Sequence, residues 1–199
     1  EVYSELLRIR EELEKPVVVS ANAIMASGGY YAAVAADKIF VNPGTLMGSI
    51  GVIMEFANLS GLYDWAKVKR YSLTTGIYKG TGTDTRAMRE DEKQLLQTML
   101  DDVFMQFKQD VAKGRNLNMS KVEPYADGRI FTGSMGVKLG FADKMGTYVD
   151  ALKELGEMTE LGEDPKIFNP RKKEEFFEVR IGVHTGPIVA GVVGFKKFA

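Results

Sequence analysis

Pro16-Val17-Val18-Val19-Ser20, Ala21-Asn22-Ala23-Ile24-Met25 and Ala26-Ser27-Gly28-Gly29-Tyr30-Tyr31, continuing through Ala32-Ala33-Val34-Ala35-Ala36, form the stretch on which the fold turns. Pro16 to Ser20 is β-branched and apolar, the pattern of a strand buried on both faces. Ala21 to Met25 reads as a turn of small residues. Tyr30 to Ala36 is small and apolar and reads as a buried helix. A buried strand that passes through a serine-glycine turn into a buried helix is the repeating unit of an α/β domain.

Before this stretch, Val2, Leu6, Leu7, Ile9 and Leu13 recur at helical spacing among Glu and Arg, and Pro16 ends that helix. After it, Ile39 to Val41 predicts a short strand closed by Asn42-Pro43-Gly44, and Ser49 to Phe56 (SIGVIMEF) a further strand. Gly61 to Lys69 reads as helix, Tyr71 to Thr74 as strand, and Gly76 to Asp84 as a glycine-rich polar loop. Asp91 to Lys113 is the longest helical pattern. Leu95, Leu96, Met99, Val103, Phe104, Phe107 and Val111 share one side of it, as core or subunit interface, and Gly114 stops it. A short helix at Met119–Tyr125, a strand at Ile130–Phe131 and helices at Gly133–Leu139 and Tyr148–Met158 follow. The fold class is α/β with a largely parallel sheet, over residues 1–158. Residues 159–175, charged and Pro-containing, read as a linker, and 176–199 as a tail. The chain starts without Met inside an amphipathic pattern, which reads as a fragment lacking its natural N-terminus.

Composition narrows the function classes. Lys and Arg number 26 against 27 Asp and Glu, a balance that argues against a nucleic-acid surface. Cysteine is absent, which excludes disulfides, thiolate nucleophiles and Cys-held zinc or iron–sulfur centres. His184 is the one histidine, so a His-rich metal site within one chain is excluded and any Ser-His-Asp triad would have to use that residue. No segment reaches the ~18 apolar residues of a membrane-spanning helix.

Ser27 has two readings that stand side by side. A serine at a strand-to-helix turn presents its oxygen at the carboxyl end of a sheet, where Gly28 and Gly29 let a carbonyl approach and the first helical N–H groups are unpaired. It can equally be a helix N-cap, with the glycines serving close packing. The G-x-S-x-G elbow is not present, since Met25 replaces the first glycine. A nucleophilic serine needs a base. With histidine nearly unavailable, lysine remains, if burial lowers its pKa from ~10.4 towards ~7–8. Lys79 stands out in having no charged neighbour from Leu73 to Thr83, yet a solvated loop lysine fits the same residues, and the residues alone do not choose among the lysines. Asp101-Asp102 and Glu174-Glu175 are adjacent carboxylates that point in different directions and read as solvated. Arg129, in Asp127-Gly128-Arg129, is placed to pair with a carboxylate or an adjacent subunit.

Lys15-Pro16-Val17-Val18-Val19-Ser20, Met25-Ala26-Ser27-Gly28-Gly29-Tyr30-Tyr31, Ala35-Ala36-Asp37-Lys38-Ile39 and Gly48-Ser49-Ile50-Gly51-Val52, in that order, resemble the signal peptide peptidase A family of bacterial and chloroplast serine proteases. Ala126-Asp127-Gly128-Arg129-Ile130-Phe131-Thr132-Gly133 and Leu139-Gly140-Phe141-Ala142-Asp143 continue the resemblance, which covers about Glu1 to Leu155. It implies a crotonase-like or caseinolytic-protease-like superfold, here truncated at its N-terminus, and a Ser–Lys dyad. Ser27 matches the family nucleophile, Lys79 the general base and Ser49 the serine that orients the base. Gly28 matches the position whose N–H forms half of the oxyanion hole. The resemblance further implies apolar peptide substrates such as signal-peptide remnants, no metal or organic cofactor, and a homo-oligomeric ring whose dyad is shared between protomers. A membrane anchor would lie upstream, with the catalytic domain facing away from the cytoplasm and this stretch itself soluble. An upstream strand and a Gly-rich loop carrying the other oxyanion donor belong to the family pattern and precede this stretch. Two rival readings are a non-proteolytic acyl-thioester enzyme of the same superfold and a non-catalytic ring that binds peptides.

Val179 to Gly194 looks like a short segment of class III nucleotidyl cyclase domains, without that family's metal-binding aspartates, and implies no cyclase activity. The tail could be a fusion remnant or an extended peptide that pairs with a sheet edge. His184 reads as structural or solvent-exposed.

Overall fold

In the computed structural model, which describes residues 1–162 and 165–167 and the backbone of 190–192, the valine run Val17 to Val19 is buried, as its β-branched side chains favour. The described residues divide between two units, one of Glu1–Gly51 with Phe107–Ala199, the other of Val52–Gln106.

The first unit opens with helix α1 (Val2–Glu11), then β1 (Val18–Ala21), β2 (Ile24–Ala26), α2 (Gly28–Ala33), β3 (Lys38–Val41) and β4 (Leu46–Gly48). The second unit holds α3 (Ser60–Trp65) and the start of α4 (Glu90–Gly114), whose last turns belong to the first unit. The first unit then continues with α5 (Met119–Val122), a 3-10 turn (Glu123–Tyr125), β5 (Ile130–Thr132), α6 (Gly133–Leu139), β6 (Lys144–Met145), α7 (Tyr148–Met158) and β7 (Ala190–Val192).

Two small sheets result. One has the order β6-β3-β1-β7, the other β2-β4-β5. The β1–β3, β3–β6 and β2–β4 pairs are parallel, while β7 on β1 and β5 on β4 are antiparallel edges. The expected largely parallel α/β arrangement therefore holds, with an antiparallel strand closing each sheet. Helix α7 begins with a full capping box, Thr147 and Asp150 each bonding the other's backbone N–H. It lays Ala151 and Leu155 against Val18 and Phe40 of the first sheet.

Two aspartates hold the strands in register. Asp37 Oδ2 accepts from Val17 N at 2.8 Å, and Asp143 Oδ2 accepts from Ile39 N at 2.7 Å. Arg115, whose side chain is almost wholly buried, pairs with Asp143. Tyr30, Tyr125, Phe131 and Phe141 build an aromatic core behind α2, and the Tyr30 hydroxyl donates to Phe141 O at 2.9 Å. Burial pushes the Tyr30 phenol well above its ordinary pKa.

Three sequence expectations are corrected. The segment read as a turn at Ala21–Met25 runs into a strand, β2. The strand expected over Ser49–Phe56 lies instead just before it, at Leu46–Gly48, and residues 49–59 are irregular. Tyr71–Thr74 forms no strand. Both of the latter runs alternate apolar residues, but Ile53, Phe56, Tyr71 and Leu73 are exposed, so nothing buries the face that the alternation would supply. On α4 only Phe107 and Val111 of the expected stripe are buried; Leu95, Met99 and Val103 are exposed. Residues 168–189, which include Glu174-Glu175 and His184, lie outside the described residues, as do 193–199.

Candidate functional site

Ser27 takes φ 51° and ψ −123° immediately before α2, and its side chain caps no N–H of that helix. The N-cap reading therefore describes its place in the chain and not the task of its hydroxyl. A non-glycine residue in such a conformation costs about 1–3 kcal/mol and persists only where its surroundings fix it. Here they do: Ser27 N donates to Gly48 O at 2.8 Å, and Ser27 O accepts from Tyr31 N at 2.8 Å. Ser27 and Gly28 are exposed. A Cβ built on Gly28 would meet nothing within 4 Å, so a planar group can approach its N–H, which as a first-turn amide has no helical partner.

Ser49 repeats this geometry. It too has φ 51°, and its N–H donates to Arg129 O at 2.8 Å. Strands β2 and β4 run parallel with Ala26 opposite Gly48, so the next residue of each, Ser27 and Ser49, leaves the same sheet edge one strand apart. Neighbouring strands lie about 4.8 Å apart. Gly48, between them, has φ 89° and packs so tightly that a Cβ would fall 2.6 Å from the Phe131 ring. The structure thus brings Ser27, Gly28 and Ser49 together at the carboxyl edge of a parallel strand pair, where α/β folds place their sites.

Lys79 belongs to the second unit. It is exposed, in a turn where its N–H donates to Gly76 O at 3.3 Å. Around this turn lies a cluster that the sequence reading missed. Glu92, the third residue of α4, has a fully buried side chain and forks with Arg86 at 2.6 and 2.8 Å. It also accepts from Arg89 N at 2.9 Å and pairs with the Arg89 guanidinium at 3.0 Å. The Arg86 hydrogen bonds, ahead of the Arg89 amide and both guanidinium charges, hold the Glu92 carboxyl down to about 2. The three-residue spacing Arg86, Arg89, Glu92 at a helix start was the signal available. Arg129 pairs with Asp127 at 2.6 Å and holds that carboxyl down to about 2, which settles its partner as a carboxylate of the same turn. Asp101 accepts from Gln97 at 2.7 Å on the exposed face of α4.

Residues 10–162 match Peptidase family S49. The chain belongs to this family. A protease-named protein of Synechocystis sp. is 41% identical over 151 residues, which are 76% of this chain and 54% of that protein. A protein of Enterococcus faecium named as a signal peptide peptidase SppA is 35% identical over 155 residues, 78% of this chain and 45% of that protein. The chloroplastic serine protease SPPA of Arabidopsis thaliana is 32% identical over 133 residues, 66% of this chain and 20% of that protein. The chain spans about half the length of the first two relatives. The S49 match covers every element from β1 to α7, and the 176–199 tail lies outside it. No helix among the described residues is long and apolar enough to cross a membrane.

Proposed function

We propose that the chain is the catalytic part of a serine peptidase of the S49 family, in the caseinolytic-protease-like superfold, acting with a Ser27–Lys79 dyad on extended apolar peptides such as signal-peptide remnants. The observation that carries the reading is the strained Ser27, whose side chain caps no helix N–H, at the open edge of the parallel β2–β4 pair, with Ser49 leaving the same edge at the same φ. Ser27 holds φ 51° and ψ −123°, a backbone conformation that glycine would adopt with less strain.

The reaction follows from the residues. The Ser27 oxygen attacks the scissile carbonyl carbon as Lys79 Nζ takes the hydroxyl proton. The carbonyl oxygen gains negative charge and accepts from the Gly28 N–H. The C–N bond then breaks, the proton passes from Lys79 to the leaving amine, and Ser27 is left acylated. Water attacks the acyl carbon and gives a proton to Lys79; the bond to the Ser27 oxygen breaks, that oxygen takes the proton back from Lys79, and the peptide acid leaves with both residues restored. Ser49 accepts or donates a hydrogen bond at the lysine and fixes its direction. A lysine serves as base only when desolvation favours its neutral form, and Lys79 is exposed on the single chain. The family resemblance implies a ring of protomers in which the base works beside the Ser27 of a neighbouring copy, and an exposed Lys79 is in keeping with that reading. The exposed Trp65, Tyr71, Leu73 and Ile77 of the second unit supply apolar surface for that contact.

A fluorophosphonate tests this. Intact-mass spectrometry near pH 8 should show one adduct, mapping to Ser27 and lost in Ser27→Ala and Lys79→Ala. Absence of any adduct from this chain and from a version extended upstream would overturn the peptidase reading. An adduct that survives Lys79→Ala at full rate would remove Lys79 from the dyad.

A further inference from the structure

The second unit contains a buried carboxylate that the peptidase chemistry does not use. Glu92 is fully buried, and burying a charge is costly unless it is paired and hydrogen-bonded. Its two partners reach onward. Arg86 Nη2 donates to Gly80 O at 3.3 Å, and Arg89 Nη2 donates to Ile77 O at 3.1 Å. The Arg89 guanidinium also lies 5.8 Å over the Tyr78 ring, and Thr81 Oγ1 stands 3.5 Å from Glu92 Oε1. The carbonyls engaged therefore belong to residues 77 and 80, one on each side of Lys79. The turn itself is held by weak backbone bonds of 3.1–3.3 Å at Lys79, Thr81 and Thr83. Gly82, with φ 77°, packs so closely on Phe56 that a Cβ would fall 2.4 Å from the ring.

We infer that Glu92 is a positioning residue for the Lys79 turn, acting through Arg86 and Arg89, whose guanidinium groups clamp the Gly80 and Ile77 carbonyls. This rests on the Ser27–Lys79 reading. Glu92 touches neither substrate nor Lys79. It fixes Arg86 and, together with Asp91, which Arg89 contacts at 2.9 and 3.1 Å, it fixes Arg89; the arginines in turn set the backbone from which the lysine projects. Without Glu92, Arg86 loses its carboxylate and its hold on the Gly80 carbonyl, while Arg89 loses one of its two acidic partners and keeps Asp91. An exposed turn carrying a flexible lysine stem would then point its amine in many directions, and proton transfer needs an approach within hydrogen-bond reach.

Two readouts test the clamp. The first is amide hydrogen exchange over residues 77–83 in the full chain. Glu92→Gln, which keeps the shape and removes the charge, should speed exchange there at least tenfold while β1 and β3 keep their protection. Unchanged exchange at 77–83 overturns the clamp. The second is the pH profile of fluorophosphonate labelling at Ser27. The unsubstituted chain should reach a plateau once its base is neutral. Glu92→Gln should label at least tenfold more slowly near pH 8 and rise with pH without a plateau, because hydroxide replaces a misplaced base; Lys79→Ala, which has no base, should give no adduct near pH 8. A variant that merely lowers the folded fraction would label less but keep the plateau, and that result overturns the positioning role while leaving the dyad intact. Arg89→Gln, which frees the Ile77 carbonyl and removes one of the two cations beside Glu92 while leaving its Arg86 fork, should give a smaller loss in the same direction and serves if Glu92→Gln does not fold. A Lys79→Ala chain that keeps the full profile overturns the base, and the positioning role falls with it. Glu92→Asp, which keeps the charge, should restore part of the labelling rate; no restoration relative to Glu92→Gln counts against the charge as the cause.

Discussion

A serine at φ 51° and ψ −123° is a residue in a conformation suited to glycine, held by a hydrogen bond on either side. The strain gives a test that separates stability from chemistry. Ser27→Gly should relieve it and raise stability by about 1 kcal/mol, read as a higher urea midpoint with an unchanged slope. The same variant should form no fluorophosphonate adduct. Ser27→Ala keeps a Cβ in the strained position, so it should lose the adduct without the gain in stability. Equal midpoints for the two variants would show that Ser27 carries no strain to relieve. The sequence offered Ser27 as nucleophile and as N-cap without deciding. What the structure adds is a backbone angle and a side chain that caps no helix N–H, neither of which residue types and spacing express. Glu92 was missed for another reason: its three-residue spacing from Arg89 and Arg86 was visible, but a glutamate at a helix start reads as solvent-facing, and the fold shows that two arginines enclose it.

At the scale of elements, legibility followed burial. Val17 to Val19, Ile39 to Val41, Gly133 to Leu139 and Tyr148 to Met158 were readable because their patterns match what is buried or capped. The strand expected over Ser49–Phe56 and the one at Tyr71–Thr74 were misread because an apolar run says nothing of whether a partner covers it. Strand β2 was missed because three residues, Ile24, Met25 and Ala26, are too few to carry a period. Helix α6 shows how element packing can invert a local preference. Alanine is favoured over glycine inside a helix by about 1 kcal/mol. A Cβ at Gly133, however, would stand 2.1 Å from the backbone oxygen of Asn42 and 3.0 Å from a Val41 methyl. Backbone cannot swing aside as a side-chain tip can. Gly133→Ala should therefore destabilise the chain by about 2 kcal/mol or more, against its helix propensity, as seen in the urea midpoint. A neutral or stabilising outcome would mean that α6 does not press on the β3–β4 connection as closely as described.

The molecule as a whole places its proposed chemistry on two bodies, Ser27, Gly28 and Ser49 in the first unit and Lys79 in the second. The second unit also leaves large apolar side chains in water, with Trp65, Tyr71, Leu73 and Ile77 all mostly exposed. A folded chain seldom leaves such a set uncovered unless another surface takes it up. A ring in which each junction joins one copy's serine to the next copy's lysine would explain the exposure. It also makes a prediction that a dyad within one chain does not. Ser27→Ala protomers keep Lys79, and Lys79→Ala protomers keep Ser27, so each is inactive alone. Mixed in equal amounts and allowed to exchange, they should regain activity. With random assembly about a quarter of the junctions pair an intact serine with an intact lysine, so fluorophosphonate labelling should return to about a quarter of the unsubstituted level. The adduct should sit only on the Lys79→Ala protomer, which the mass difference between the two variants identifies. Leu73→Glu in both partners should abolish the recovery and shift the sedimentation coefficient to that of a single chain. Mixed protomers that assemble but never label would confine the dyad to one chain and remove the shared ring from the mechanism.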